Sequence, residues 1–83
     1  MELEPHLDEC ELSTCVRRVL LEYLKDLDGE APTAIYELVL NAVERPVLDL
    51  VLFQTDGNQS RAAEWLGINR NTLRKKMQQH GIK

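Results

Sequence analysis

Residues 67–76 read GINRNTLRKK and hold four cationic side chains, Arg70, Arg74, Lys75 and Lys76, within seven positions. Asn69, Asn71 and Thr72 are interleaved with them. Side chains of these types make neither a nucleophile nor a general base. They make hydrogen-bond donors. A guanidinium fork matches the two acceptors on a guanine edge, an asparagine amide matches adenine, and lysine neutralises phosphate. Such a row serves a nucleic acid only if one rigid element presents it on one face. On a helix over 68–81, Leu73 and Met77 form an apolar pair at i, i+4 that turns inward. Arg70, Asn71, Arg74, Lys75 and Gln78 then lie on the outward arc, with no carboxylate among them. Asn69 is suited to cap that helix.

A second short helix precedes it. The stretch QSRAAEWLG (59–67) turns Ala62, Ala63 and Leu66 inward and ends at Gly67. Two short helices joined by a glycine-containing turn follow the helix-turn-helix plan. Ala63 is small where the helices cross, Gly67 is free to take positive φ, and Ile68 fills the space between them. At the start of the first helix, Asn58, Gln59 and Ser60 offer short side chains and backbone N–H groups to phosphate oxygens. Such a pair of helices sets its second member into the major groove. Trp65 is placed for partial packing beside Leu66 rather than for stacking on a base.

The rest of the chain has the opposite charge. Residues 1–57 carry 4 Lys/Arg against 13 Asp/Glu, a net of −9, whereas residues 58–83 carry 6 against 1, a net of +5. The whole 83-residue chain is at −4. An acidic body with one basic end directs a polyanion to that end.

That body is helical by its apolar period. In residues 12–27, Val16, Val19, Leu20, Tyr23, Leu24 and Leu27 line one face, with Ser13 or Thr14 as the cap and Asp28-Gly29 as the stop. Residues 33–55 form a longer helix, with Pro32 at its first turn. Ile35, Leu38, Val39, Ala42, Val43, Val47, Leu50 and Val51 make one stripe, yet Tyr36, Leu40, Leu48, Leu52 and Phe53 make the other sides apolar too. A helix apolar nearly all round belongs inside something, and 83 residues offer little to enclose it. A second copy is therefore expected around it, with Val16, Leu20, Tyr23, Leu24, Ile35, Val39, Val43, Val47 and Leu50 at the interface. Pro46 should kink the long helix or split it in two. The expected fold is all-α with four helices per subunit. Residues 1–11 are a disordered acidic start, 12–56 the dimerisation helices and 57–83 the helix-turn-helix.

Enzymatic chemistry finds no foothold. His6, Cys10 and Cys15 lack a metal-ligand spacing and a fourth ligand. Two cysteines five apart are not a disulfide framework and fit a reducing compartment. His80 stands near a helix C-terminus, where positive charge is favourable. Glu37, Glu44 and Asp49 are read as solvated or dimer-facing. No nucleophile stands with an oriented base, and no cofactor, metal or membrane span is expected. Cytoplasmic location follows.

The stretch YELVLNAVERPVLDLVLFQTDGNQSRAAEWLGINRNTLRKKMQQHGI resembles the Fis family of bacterial DNA-binding proteins, most specifically in GNQSRAA and GINRNTLRKK. The similarity covers about residues 12–82. It implies a homodimer with interlocked first helices, and paired recognition helices set closer than one turn of straight B-DNA, so that the duplex bends. It implies an abundant nucleoid-associated transcription regulator with degenerate double-stranded DNA sites, for which RNA polymerase is a further partner. Family contacts carry over to Asn58, Ser60, Arg61, Asn69, Arg70, Thr72, Arg74 and Lys75, with Asn69 and Arg70 reading bases and the others holding the backbone. Asn71 stands where the family commonly has glycine and adds a contact, and Lys76 completes the basic run. Gln78 and Gln79 stand where basic residues are frequent, which implies fewer phosphate contacts and a shallower salt dependence. The best-known members have a longer N-terminal segment that forms a β-hairpin arm and activates DNA invertases. Residues 1–11 lack a strand pattern, so invertase activation is not expected. Two other readings share these residues. One is the C-terminal Fis-like domain of a larger enhancer-binding activator, against which Met1 and the complete first helix speak. The other is a helical dimer for protein assembly.

Overall fold

The computed structural model describes residues 10–83, and the expectations on His6 and on the acidic start up to residue 9 lie outside them. Four helices and no strand occur among the described residues: α1 (Glu11–Asp26), α2 (Ile35–Gln54), α3 (Gln59–Leu66) and α4 (Arg70–Gln79). The all-α architecture expected from the apolar period is the one observed.

The chain divides into two compact units, one running up to Val39 and the other from Leu40 to Lys83. In the first, α1 starts at Glu11 with Cys10 at its N-cap, and the Cys10 carbonyl accepts the Thr14 N–H at 3.1 Å. Ser13 and Thr14, expected as caps, are therefore inside the first turn. Several cap-forming residues stood within one turn, and the helix took an earlier start than their side chains favoured. The stop at Asp28-Gly29 is as expected, both residues having positive φ (54° and 92°). No α1 residue is buried. Val16, Leu20 and Tyr23 are half-buried, and Leu12, Val19, Leu21 and Leu24 are exposed. An amphipathic helix with no buried residue has an apolar face still in need of cover.

α2 begins two residues later than the period suggested, so Pro32 precedes the helix rather than occupying its first turn. Ala34 takes φ 53°, a left-handed backbone that closes off any earlier start. The helix runs unbroken through Pro46, which excludes the reading of two separate helices.

In the second unit the core is small and specific. Leu48 and Leu52 of α2, Ala62 and Ala63 of α3, and Leu73 and Met77 of α4 are buried together, with Val51, Leu66, Ile68 and Ile82 packed at the edge. Leu48 and Leu52 are seven and eleven residues beyond Asn41, on the same face as Glu44, Val51 and Thr55. Thr55 closes this face. It is buried, and its hydroxyl donates to the carbonyls of Val51 (2.9 Å) and Leu52 (3.3 Å).

The opposite side of α2 is left open. Tyr36, Leu40, Val43, Val47 and Leu50 recur at spacings of four and three along one stripe. Tyr36, Leu40, Val47 and Leu50 are exposed and Val43 is half-buried. The all-round apolar character of α2 thus has two separate causes. One side supplies the floor of the helix-turn-helix, and the other remains uncovered in the single subunit.

Candidate nucleic-acid interface

Two turns aim the basic helix, and both are written locally. Asn58 caps α3, its Oδ1 accepting the Arg61 N–H at 3.0 Å. α3 ends in a left-handed Gly67 (φ 75°). The Ile68 N–H reaches back to the Ala63 carbonyl at 3.0 Å and the Gly67 N–H to Glu64 at 3.1 Å. This is the Schellman pattern, which satisfies the last carbonyls and tucks the following apolar residue against the helix. Ile68 is that residue, packed at the core edge. Asn69 then caps α4 through Oδ1, which accepts the Asn71 N–H at 2.7 Å. The same Gly-Ile device closes α4: Gly81 takes φ 68°, its N–H donates to Gln78 at 3.1 Å, and the Ile82 N–H donates to Met77 at 2.8 Å.

With both helices fixed, Leu73 and Met77 point into the core and the donors point out. Arg70, Asn71, Thr72, Arg74, Lys75 and Gln78 are all exposed, as are Asn58, Ser60, Arg61 and Asn69. The Asn58 and Asn69 oxygens are already committed to caps, so each amide presents its NH₂ donors outward. No carboxylate interrupts the exposed arc of α4. Trp65 on α3 is 56 % exposed, partly covered.

Lys76 departs from the expected donor set. Its Nζ is 2.7 Å from Glu44 Oε2, and the Glu44 Oε1 is 2.8 Å from His80 Nε2. Glu44 is not freely solvated: its side chain keeps only 23 % of its exposure and pairs with Lys76 of α4 and with His80 at the C-cap of that helix. Beside it, Arg45 donates to the His80 carbonyl at 2.7 Å and pairs with Asp49 at 3.2 Å. Lys76 and His80 are one turn apart, next to the inward stripe of Leu73 and Met77. The basic run therefore sends three cations outward and uses the fourth to fasten α4 to α2.

The arrangement is a helix-turn-helix whose second helix carries an acid-free row of donors, as in proteins that read the major groove. The description "Bacterial regulatory protein, Fis family" matches residues 39–80, spanning most of α2, both turns, α3 and α4. The chain belongs to the Fis family. Among Fis relatives, a "Putative Fis-like DNA-binding protein" of Ralstonia nicotianae (strain ATCC BAA-1114 / GMI1000) is 55 % identical over 71 residues, 86 % of this chain and 92 % of that protein. A protein of the same description from Neisseria meningitidis serogroup A is 51 % identical over 72 residues, covering 87 % of this chain and 91 % of its own. A "DNA-binding protein Fis" of Glaesserella parasuis serovar 5 is 54 % identical over 67 residues, 81 % of this chain and 68 % of that protein.

The fastening in this Fis chain has a pH signature. Hydrogen bonds from Lys76, and then from His80, hold the Glu44 carboxyl below the usual glutamate range. A carboxyl lowered on folding adds stability that is complete above its unfolded value, near 4.3, and disappears as pH falls through the folded value. Glu44→Gln should therefore lose about 1 kcal/mol at pH 7, in the range of partly exposed pairs. The gap to the unchanged protein should close at strongly acid pH. Thermal melts of both proteins at pH 7 and pH 3 test this, and an equal gap at both would contradict it.

Proposed function

We propose that the protein is a homodimeric DNA-binding and DNA-bending protein that acts as a nucleoid-associated transcription regulator in the cytoplasm. One observation carries this reading: the outward arc of α4 bears Arg70, Asn71, Arg74, Lys75 and Gln78, exposed and free of carboxylates, on a helix-turn-helix. The names of the Fis relatives, which include DNA binding, support it. Asn69 and Arg70, at the N-terminal end of α4, are the base readers, because that end of a recognition helix goes deepest into the major groove. Asn71 sits at the middle of the outward arc and adds an amide able to pair with adenine. Thr72, Arg74 and Lys75, with Asn58 at the N-cap of α3 and Ser60 and Arg61 on that helix, hold phosphates on either side. Lys76 is left out of the contact set, since its ammonium is paired with Glu44.

The dimer rests on the open apolar faces. None of the nine interface residues named from the sequence is buried in the single subunit. A dimer supplies two recognition helices, and a bent duplex admits both where straight DNA does not. Affinity then comes mainly from backbone contacts and shape, which gives tolerance of sequence. No catalytic role is assigned to any residue, and no cofactor takes part.

The test compares two variants on one specific duplex and one scrambled duplex. Arg70→Ala should cost about 1–3 kcal/mol on the specific site and little on the scrambled one. Lys75→Ala should weaken both alike and flatten the salt dependence by about one counterion per contact. A footprinting titration in which both variants lose equally on both duplexes would contradict these roles. Failure of the unchanged protein to bind any duplex at physiological salt would favour the protein-assembly reading.

A further inference from the structure

A hollow of about 130 Å³ lies between the first residue of α3 and the last turn of α4, lined by Gln59, Arg74, Met77, Gln78, Ile82 and Lys83. Its side chains are one-sided. Two cations and two amides form the polar lining, Met77 and Ile82 supply the apolar part, and none of the lining side chains is a carboxylate. Arg74 and Lys83 are exposed and belong to no ion pair among the described residues. Arg74 and Gln78 are one helical turn apart, on the arc that carries the base-reading donors. Lys83 reaches the hollow because the chain is turned at Gly81 and pinned where the Ile82 N–H meets the Met77 carbonyl. The closing turn of α4 thus returns a cation to the side of the helix that the glutamines had left without one.

We propose that this hollow seats a phosphodiester of the bound duplex, with Arg74 and Lys83 as its cations and the Gln59 and Gln78 amides as neutral donors. This rests on the reading of α4 as a DNA-facing helix, and it adds a contact beyond the basic run. Cationic side chains beside neutral amide donors suit the two unesterified oxygens of a phosphodiester. The shorter footprint suggested by Gln78 and Gln79 is then partly restored by Lys83.

The experiment is a salt titration of duplex binding by the full chain, using the unchanged protein, Lys83→Gln, Lys83→Arg and Lys75→Gln. Lys83→Gln should weaken specific and scrambled duplexes by the same factor. It should reduce the slope of log affinity on log salt by about 0.9 for each subunit bound. Lys83→Arg should restore both. The thermal melt should not change, since Lys83 is exposed. A normal slope for Lys83→Gln beside a reduced slope for Lys75→Gln would overturn the seat and leave the DNA reading standing. Absence of duplex binding by the unchanged protein would overturn both.

Discussion

Leu73→Ala is expected to destabilise the helix-turn-helix by about 2–5 kcal/mol, the usual cost of truncating a buried leucine. Leu73 is 0 % exposed and is among the largest fully buried side chains. It sits where α4 meets Ala62 and Ala63 of α3 and Leu48 and Leu52 of α2, so every element of the second unit touches its neighbourhood. The cost should fall toward the upper end. Two of the surrounding positions are alanines, which have no side-chain length to move into a void, and the two turns beside it are fixed by Schellman bonds. A core of six buried apolar residues has little reserve, because folded domains rest on a small net stability. Denaturant unfolding should give a lower midpoint, and DNA affinity should fall in parallel, since α4 loses its seat. Lys75→Ala is the control: it should keep the midpoint and lose only affinity. A midpoint shift for Leu73→Ala no larger than the control's would remove Leu73 from the centre of this core.

The contrast between Leu73 and Glu44 separates what was legible in the sequence from what was not. Leu73, Met77, Gly67, Ile68 and Asn69 act within a few residues of themselves. A cap bonds two positions on, a Schellman turn five back, and an inward pair recurs one turn along, so their roles follow from spacing. Glu44 acts on Lys76 and His80, which lie 32 and 36 residues away. Helical period assigns a residue to a face but does not say which element will be brought to that face. One signal was available. Glu44 shares a face with Leu48, and Lys76 and His80 flank Leu73 and Met77. A carboxylate and two basic groups beside stripes that both turn inward are candidates to pair. The same limit explains Leu48 and Leu52, read as surplus apolar positions of α2 and in fact two of the six residues of the helix-turn-helix core. It also explains Lys76, whose pairing with Glu44 no local spacing announces. The start of α1 is a different case, where short-range cap preferences competed and the sequence held too many acceptable answers.

The largest effect on assembly is expected from Leu50→Asp. Leu50 is 61 % exposed in the single subunit and ends the row of Tyr36, Leu40, Val43 and Val47. The two accounts of this row predict opposite outcomes. On a monomer, an exposed leucine replaced by aspartate is a surface change, within about 0.5 kcal/mol of neutral. On a dimer closed over the row, each subunit places an unpaired carboxylate in an apolar seam. Removing one such charge from water without a partner costs several kcal/mol, and the symmetry of a two-fold interface brings in two. Sedimentation should therefore give twice the chain mass for the unchanged protein. Leu50→Asp should give the single mass, or a chain that has lost helix by circular dichroism because α1 buries nothing by itself. Leu50→Met, which conserves volume and apolarity, should remain dimeric. An intact dimer with an unchanged melt for Leu50→Asp would mean that the second copy sits elsewhere. Duplex binding decides how far assembly and recognition are linked. One recognition helix alone keeps its donors but loses the second set of phosphate contacts, so the variant's salt slope should fall to about half. A loss of affinity at full slope would instead indicate that the helix-turn-helix itself had been damaged.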